Sequence, residues 1–319
     1  MTIKDKTILI TGGAGFIGSN LADKLIPHNK IIVIDNFDNF YDPKIKEKNI
    51  SANLRNKNYI FYKSDITDIT SLEKIFSENN IDIIIHLAAK AGVRASIKNP
   101  KDYIHTNILG TVNILETAKK YKIKKMLFAS SSSVYGNCKE DIFSEDLKLS
   151  EPISPYAATK LAAEQFCYTY HKLYGIKILC LRLFTVYGPR QRPDLAIHKF
   201  LNLINENKPV PVYGDGSTKR NYTYIDDIVS GFISAINYEK TGYETINLGG
   251  KESIRLDNMI KTLEKALKKP VLIEYLPLQK GDVDKTAADI TKAKKILDYS
   301  PKTSFNEGIK KFIEWSNSK

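Results

Sequence analysis

A tyrosine and a lysine four positions apart, in Tyr156-Ala157-Ala158-Thr159-Lys160, follow Pro152 and Pro155. At the start of a helix this spacing sets both side chains on one face. A free phenol titrates near ~10 and is a poor base at neutral pH, whereas a neighbouring ammonium favours its phenolate. The pair therefore has the chemistry to take a proton from a hydroxyl and return it. Further hydroxyls stand about 25 residues earlier, in Ser130-Ser131-Ser132-Ser133.

A second cluster, Gly12-x-x-Gly15-x-x-Gly18, follows one apolar run and opens a helical one. Glycines there allow a tight turn, close approach to a pyrophosphate and close helix packing, with the anion facing the helix N-terminus. Asp35 ends the next apolar run, seventeen residues beyond Gly18. A carboxylate at that place accepts both ribose hydroxyls and repels a 2′-phosphate, so NAD is the expected cofactor. Its positive nicotinamide ring would add to the forces favouring a Tyr156 phenolate. Asp65 closes the third apolar run and reads either as a partner of the adenine amino group or as a turn residue.

These residues need a scaffold, and the chain supplies alternating elements. Apolar runs at Ile8–Ile10, Ile31–Ile34, Tyr59–Tyr62, Ile81–Ile85, Met126–Phe128 and Ile178–Leu183 read as strands. Segments such as Asn107–Lys120 and Ala157–Leu173 have helical periodicity. Near-continuous apolar strands alternating with helices predict a parallel sheet covered on both faces, an α/β Rossmann-type doubly wound fold. Ligands gather at the carboxyl ends of such strands. After Gly188-Pro189 the rhythm changes, and residues 251–319 carry two or three amphipathic helices and one strand, Val271–Leu276. The expected organisation is an NAD-binding domain over residues 1–185 with about 222–250, the chain re-entering the sheet near Glu244–Leu248. A smaller C-terminal substrate-binding lobe takes 186–221 and 251–319.

The glycine triplet, the serine run with Val134-Tyr135-Gly136, and Tyr156-x-x-x-Lys160 together resemble an extended short-chain dehydrogenase/reductase, from Ile8 to Trp315. Within that superfamily the chain is similar to nucleotide-sugar 4-epimerases. The resemblance implies that Tyr156 is the acid/base, that Lys160 binds the nicotinamide ribose and tunes Tyr156, and that Ser131 bridges to the sugar. It also implies Phe16 and Ile17 under the pyrophosphate. Ile66, Leu87, Ala88, Ala89, Lys90 and Asn107 line the cofactor, Arg220 reaches the UDP phosphates, and Asp282 the uridine ribose.

Relatives that dehydrate or decarboxylate their sugar carry an acid just after the catalytic Ser or Thr; here those positions are Ser132 and Ser133. With Tyr156 alone, the site can oxidise carbon 4 to a transient ketone and reduce it on the other face. Ala91-Gly92-Val93-Arg94, the segment Phe184–Pro189 and Arg192-Pro193-Asp194 resemble UDP-glucuronate 4-epimerases. The expected reaction is therefore UDP-glucuronate to UDP-galacturonate. Ser132, Ser133, Thr185 and the fork of Arg192 would hold the sugar carboxylate, with Arg190 the rival arginine. Gly214–Arg220 also resembles epimerases of neutral UDP-hexoses, which makes UDP-glucose or UDP-N-acetylglucosamine the alternative substrate. UDP-glucuronate decarboxylation is a further alternative.

The 319 residues, 42% hydrophobic, suffice for a buried core. Three scattered cysteines, Cys138, Cys167 and Cys180, give neither a disulfide framework nor a metal site. A net charge of +12 comes from dispersed lysines without a nucleic-acid-binding motif, so nucleic acid is not an expected partner. No apolar run reaches the ~18 residues of a membrane span, and no signal peptide is evident, so a cytoplasmic protein is expected. Phe166 and Tyr170 on the Ala157–Leu173 helix are candidates for packing across the two-fold axis of a homodimer.

Overall fold

Six of the apolar runs become parallel strands: β1 (Thr7–Thr11), β2 (Lys30–Asp35), β3 (Tyr59–Lys63), β4 (Ile83–His86), β5 (Lys125–Ser131) and β6 (Lys177–Leu183). The computed structural model describes residues 3–149, 151–240, 242–278 and 283–318. The chain returns at Tyr243–Leu248 to complete a seven-stranded sheet, ordered Tyr243–Leu248, β6, β5, β4, β1, β2, β3. Every neighbouring pair in it runs parallel.

Alternation along each strand feeds two cores. Ile8, Ile10, Ile31, Val33, Leu127 and Leu179 face one side, with helices Phe16–Leu25 and Ile225–Asn237 over them. Leu9, Ile32, Ile34, Met126, Phe128 and Ile178 face the other, under helices Ile69–Glu78, Gly110–Lys120 and Pro155–Tyr174. Each fully buried Ile or Leu side chain is worth roughly 1.5–3 kcal/mol, so one slipped register would forfeit a whole row. The strand order reverses beside β1, which has β4 on one side and β2 on the other. The loops after β1 and β4 part there and leave a crevice.

A smaller set of elements stands beyond the carboxyl ends of β5 and β6. It holds a three-stranded sheet of Ser253–Arg255, Lys219–Tyr224 and Thr185–Tyr187, and a parallel pair, Val210–Tyr213 with Ile273–Leu276. Helices Ala196–Asn205, Leu256–Leu267 and Phe305–Asn317 bury Phe200, Leu263 and Phe312 in the same core as the first face of the main sheet. The strand expected from Val271 starts at Ile273, where pairing with Val210 begins. The helix expected from Asn107 begins earlier, as a π turn over Ile104–Leu109 that passes into the α-helix Gly110–Lys120. Among the described residues no helix is long and apolar enough to cross a membrane.

Candidate active site

A cleft of about 490 Å³ opens along the carboxyl ends of the strands. Gly12 sits in the turn after β1 at a φ of +69°, where a Cβ would stand 2.8 Å from the main-chain nitrogen of Ala88. A Cβ on Gly18 would lie 2.5 Å from the carbonyl oxygen of Gly12, so only glycine lets the helix come this close. The helix Phe16–Leu25 starts at Gly15, which offers no side-chain cap. Its first N–H groups and its dipole therefore face the cleft, an anion-binding arrangement. Gly12, Gly15, Phe16, Ile17 and Gly18 all line it, as do Leu87, Ala88, Ala89 and Lys90 from the loop after β4.

Asp35 and Asp65 line the β2–β3 end together with Ile66. Asp35 is buried and accepts from the N–H of Ala14 (3.2 Å), the N–H of Phe37 (2.9 Å) and Nζ of Lys46 (3.3 Å). Asp65 also serves its own turn, accepting from the N–H and Oγ1 of Thr67 at 2.8 and 2.7 Å. Asp65 thus holds its turn while lining the cleft. Asn107 does not line the cleft. It is buried behind Lys90, accepting from its N–H (2.8 Å) and donating to its carbonyl (2.9 Å), so it holds the loop that does.

Ser154 caps the helix Pro155–Tyr174 by accepting from the N–H of Ala157 at 3.1 Å, and Pro155 takes the first helical position. Tyr156 and Lys160 consequently face the cleft from the first two turns, opposite Ser131 at the end of β5. Lys160 and Tyr156 share the cleft but are not hydrogen-bonded to each other in this structure. Lys160 donates to the carbonyl of Ala129 at 2.7 Å and lies 4.8 Å from the centre of the Phe128 ring. Burial dominates the Tyr156 phenol and raises its pKa; the Ser131 hydroxyl and the Arg192 charge pull the other way. Burial also lowers Lys160, to about 8.

Ser132, Ser133, Thr185 and Arg192 line the same end of the cleft. The Arg192 fork is held side-on by Asp194, at 3.1 Å from Nε and 3.0 Å from NH2, and packs over Phe40. Arg190 turns away and pairs with Asp23 at 2.7 Å on the first helix, so of the two arginines only Arg192 faces the cleft. Arg220 does not line the cleft; it donates to the carbonyls of Lys219 (2.9 Å) and Asp284 (3.3 Å), which turn it along its own strand. Asp282 lies outside the described residues. The described carboxylates that line the cleft are Asp35 at the end of β2 and Asp38 and Asp65 on the loops after β2 and β3.

A family model described as GDP-mannose 4,6 dehydratase matches residues 9–312. The chain belongs to this family of extended short-chain dehydrogenase/reductases. A UDP-glucuronate 4-epimerase of Thermodesulfobacterium geofontis is 46% identical over 310 residues, covering 97% of this chain and 95% of the relative. The structure of UDP-glucuronic acid 4-epimerase from Bacillus cereus, in complex with UDP-glucuronic acid and NAD, superposes with a TM-score of 0.93. It is 39% identical and covers 98% of this chain and 99% of its own. A Thermotoga maritima UDP-glucose 4-epimerase with UDP-glucose has a TM-score of 0.90 at 34% identity, covering 98% and 99%.

Within this extended short-chain dehydrogenase/reductase, several cleft residues escaped the sequence reading. Lys46 is one; Asp42-Pro43 marks a helix start that would have set it near Asp35. Asp38 is another, paired with Lys90 at 3.2 Å so that the loops after β2 and β4 meet across the cleft. Phe40 and Tyr41 complete that wall. Their sequence neighbourhood carried no spacing signal.

Proposed function

We propose that the protein inverts carbon 4 of UDP-glucuronate, giving UDP-galacturonate, with NAD as a resident cofactor. One observation carries this reading: Tyr156 and Ser131 share the cleft with Ser132, Ser133, Thr185 and Arg192, while its described lining carboxylates, Asp35, Asp38 and Asp65, come from the β2 and β3 side. The match to relatives that act on UDP-glucuronate supports it.

The residues present fit a dinucleotide. The close backbone approach at Gly12 and Gly18 leaves room only for glycine, and the uncapped helix start faces the same space. We assign Gly12, Gly15, Phe16, Ile17 and Gly18 to the pyrophosphate and Asp35 to the adenosine ribose. Asp65 and Ile66 take the adenine, while Leu87, Ala88, Ala89 and Lys90 form the remaining wall, braced by Asn107. When bound, NAD supplies the acceptor, and then the donor, of the hydride at carbon 4.

This chain's own residues do the rest. Tyr156 takes the proton of the sugar's 4-hydroxyl and gives it back to the ketone oxygen once the ring has turned over. Ser131 donates to that oxygen in both states. Lys160 positions the nicotinamide ribose. The 4-keto uronate is a β-keto acid, which loses CO₂ when its carboxylate bond stands perpendicular to the ketone plane. Ser132, Ser133, Thr185 and Arg192 hold the carboxylate out of that geometry by charge-assisted hydrogen bonds. No acid follows Ser131 to move the carbon-5 proton, which separates this site from dehydration and decarboxylation. Arg220 and Asp282 are assigned to the UDP end, with Arg220 swinging off its carbonyl partners.

The helix Pro155–Tyr174 exposes Phe166, at 37%, and Leu173, at 65%, so these side chains are assigned to a homodimer contact. Tyr170 is corrected: it is buried in the chain's own core and donates to Glu116. Three free cysteines suit a reducing compartment, and the proposal places the protein in the cytoplasm.

The test is the product spectrum from a panel of UDP-sugars without added NAD. UDP-galacturonate from UDP-glucuronate is expected. Turnover of UDP-glucose or UDP-N-acetylglucosamine alone would move the assignment to a neutral hexose, and CO₂ as the main product would make the protein a decarboxylase.

A further inference from the structure

Both ends of the serine turn are tied to one buried ion pair. The hydroxyl of Ser130, the residue before Ser131, donates to Oε1 of Glu164 at 2.5 Å. Arg182 clasps the same carboxylate from the side, Nε to Oε1 at 3.0 Å and NH2 to Oε2 at 2.8 Å. Its remaining nitrogen, NH1, donates to the hydroxyl of Tyr135 at 3.0 Å, and the guanidinium packs 5.1 Å from the centre of that ring. Ser130 and Tyr135 bracket Ser131–Val134, so the pair spans the turn like a staple.

The partners come from the elements that must stay in register for the reaction. Glu164 lies on the helix Pro155–Tyr174, one turn beyond Lys160 and two beyond Tyr156. Arg182 lies on β6, beside Ser130 in the sheet. Tyr135 donates onward to Oδ1 of Asn247 at 2.7 Å, and Nδ2 of Asn247 donates to the carbonyls of Phe143 (2.8 Å) and Asp289 (3.1 Å). The N–H of Phe143 donates to Ala287 at 2.7 Å, joining the segment after the serine turn to the smaller lobe.

Stability alone does not account for such a group. Glu164 and Arg182 side chains are 1% and 5% exposed, and their desolvation cancels much of their attraction. An apolar pair of the same volume would hold the core at least as well, but it would take the acceptor from the Ser130 hydroxyl and leave Tyr135 held by Asn247 alone.

We propose that Glu164, Arg182 and Tyr135 are positioning residues that set Ser131 against Tyr156, and that they tie this distance to the packing of the smaller lobe. The proposal rests on the roles given above to Ser131 and Tyr156. A misplacement of ~1 Å at reacting groups costs on the order of a hundredfold in rate, so loosening one end of the turn should be visible in kcat.

The mildest probe is Tyr135→Phe, which keeps the ring and removes one oxygen. In the full-length, NAD-bound enzyme kcat should fall about tenfold, within the range for small displacements of reacting groups, while KM and retained NAD stay unchanged. A double-mutant cycle separates positioning from general support. In a Ser131→Ala background the same change should cost little or nothing, because the group it positions is gone. Glu164→Gln, which preserves shape and removes the charge, should behave alike in any preparation whose circular dichroism matches the parent. Equal losses in both backgrounds, or a lowered Tm with unchanged kcat, would overturn the proposal. If Ser131→Ala itself leaves kcat unchanged, the role of Ser131 falls first, and the positioning claim with it.

Discussion

The Lys160 ammonium donates to the main-chain carbonyl of Ala129 at 2.7 Å, two residues before Ser131. The lysine that shares a helical face with Tyr156 is thus anchored to the strand that ends in the serine turn. It ties helix to strand before any cofactor chemistry is considered.

Burial places the Lys160 pKa at about 8, against an ordinary 10.5. The unfolded chain therefore holds more protons than the folded one between about 8 and 10.5, and stability at this residue rises with pH across that window. Below it the full cost of the buried charge is present. Lys160→Met should flatten the rise of Tm between pH 8 and 10.5. It should also lower kcat by ~10²-fold, the scale of misplacing the reacting groups once the ribose loses its positioning residue. A Tm profile parallel to the parent's would show that Lys160 is not the titrating group.

His86 acts in the same direction at acid pH. It is buried at the end of β4, with Nδ1 2.7 Å from Oγ1 of Thr11 and Nε2 3.0 Å from Oγ1 of Thr111. The Thr111 hydroxyl donates to the carbonyl of Asn107, so it accepts from Nε2–H, and Nδ1 accepts from Thr11. Burial, reinforced by the Lys160 charge, lowers the His86 pKa from 6.5 to about 3. As pH falls from 6.5 toward 3 the unfolded chain takes up a proton that the folded one refuses, and stability drops by at most ~1.4 kcal/mol per pH unit. Urea unfolding of His86→Asn at pH 7 and pH 4 should show a smaller difference than the parent. An unchanged difference would contradict the assignment.

Arg192 and Arg190 should part company. Arg192→Ala is expected to raise KM for UDP-glucuronate at least tenfold, the effect of losing a charge-assisted contact worth ~1.5–3 kcal/mol. Arg190→Ala removes the pair with Asp23 and should lower Tm with KM within twofold. Steady-state kinetics of the two variants decide the matter, and equal KM effects would remove Arg192 from the carboxylate site.

Much of this was legible in the chain because its signals are local. Gly12 and Gly18 announce a backbone approach that any Cβ would block, and Asp35 ends a strand whose apolar run is unbroken. Ser154-Pro155 fixes the helix start that aims Tyr156 and Lys160. What stayed hidden depends on tertiary neighbours. The partner of Lys160 is a carbonyl about thirty residues away in sequence. Asn107 lies in a π turn and bonds to the loop at Lys90, a contact that only the fold creates. Lys46 reaches Asp35 only once its helix packs beside the first one. Arg182 and Glu164 carry no motif at all, and only the fold makes them a pair.

The central claim is inversion at carbon 4 by removal and return of hydrogen within the closed site, with carbon 5 and the carboxylate untouched. Turnover of UDP-glucuronate in D₂O without added NAD, followed by proton NMR, tests it most directly. The account predicts UDP-galacturonate carrying no deuterium at carbon 4 or carbon 5, with no CO₂ released. Deuterium at either carbon, or loss of the carboxylate, would contradict it.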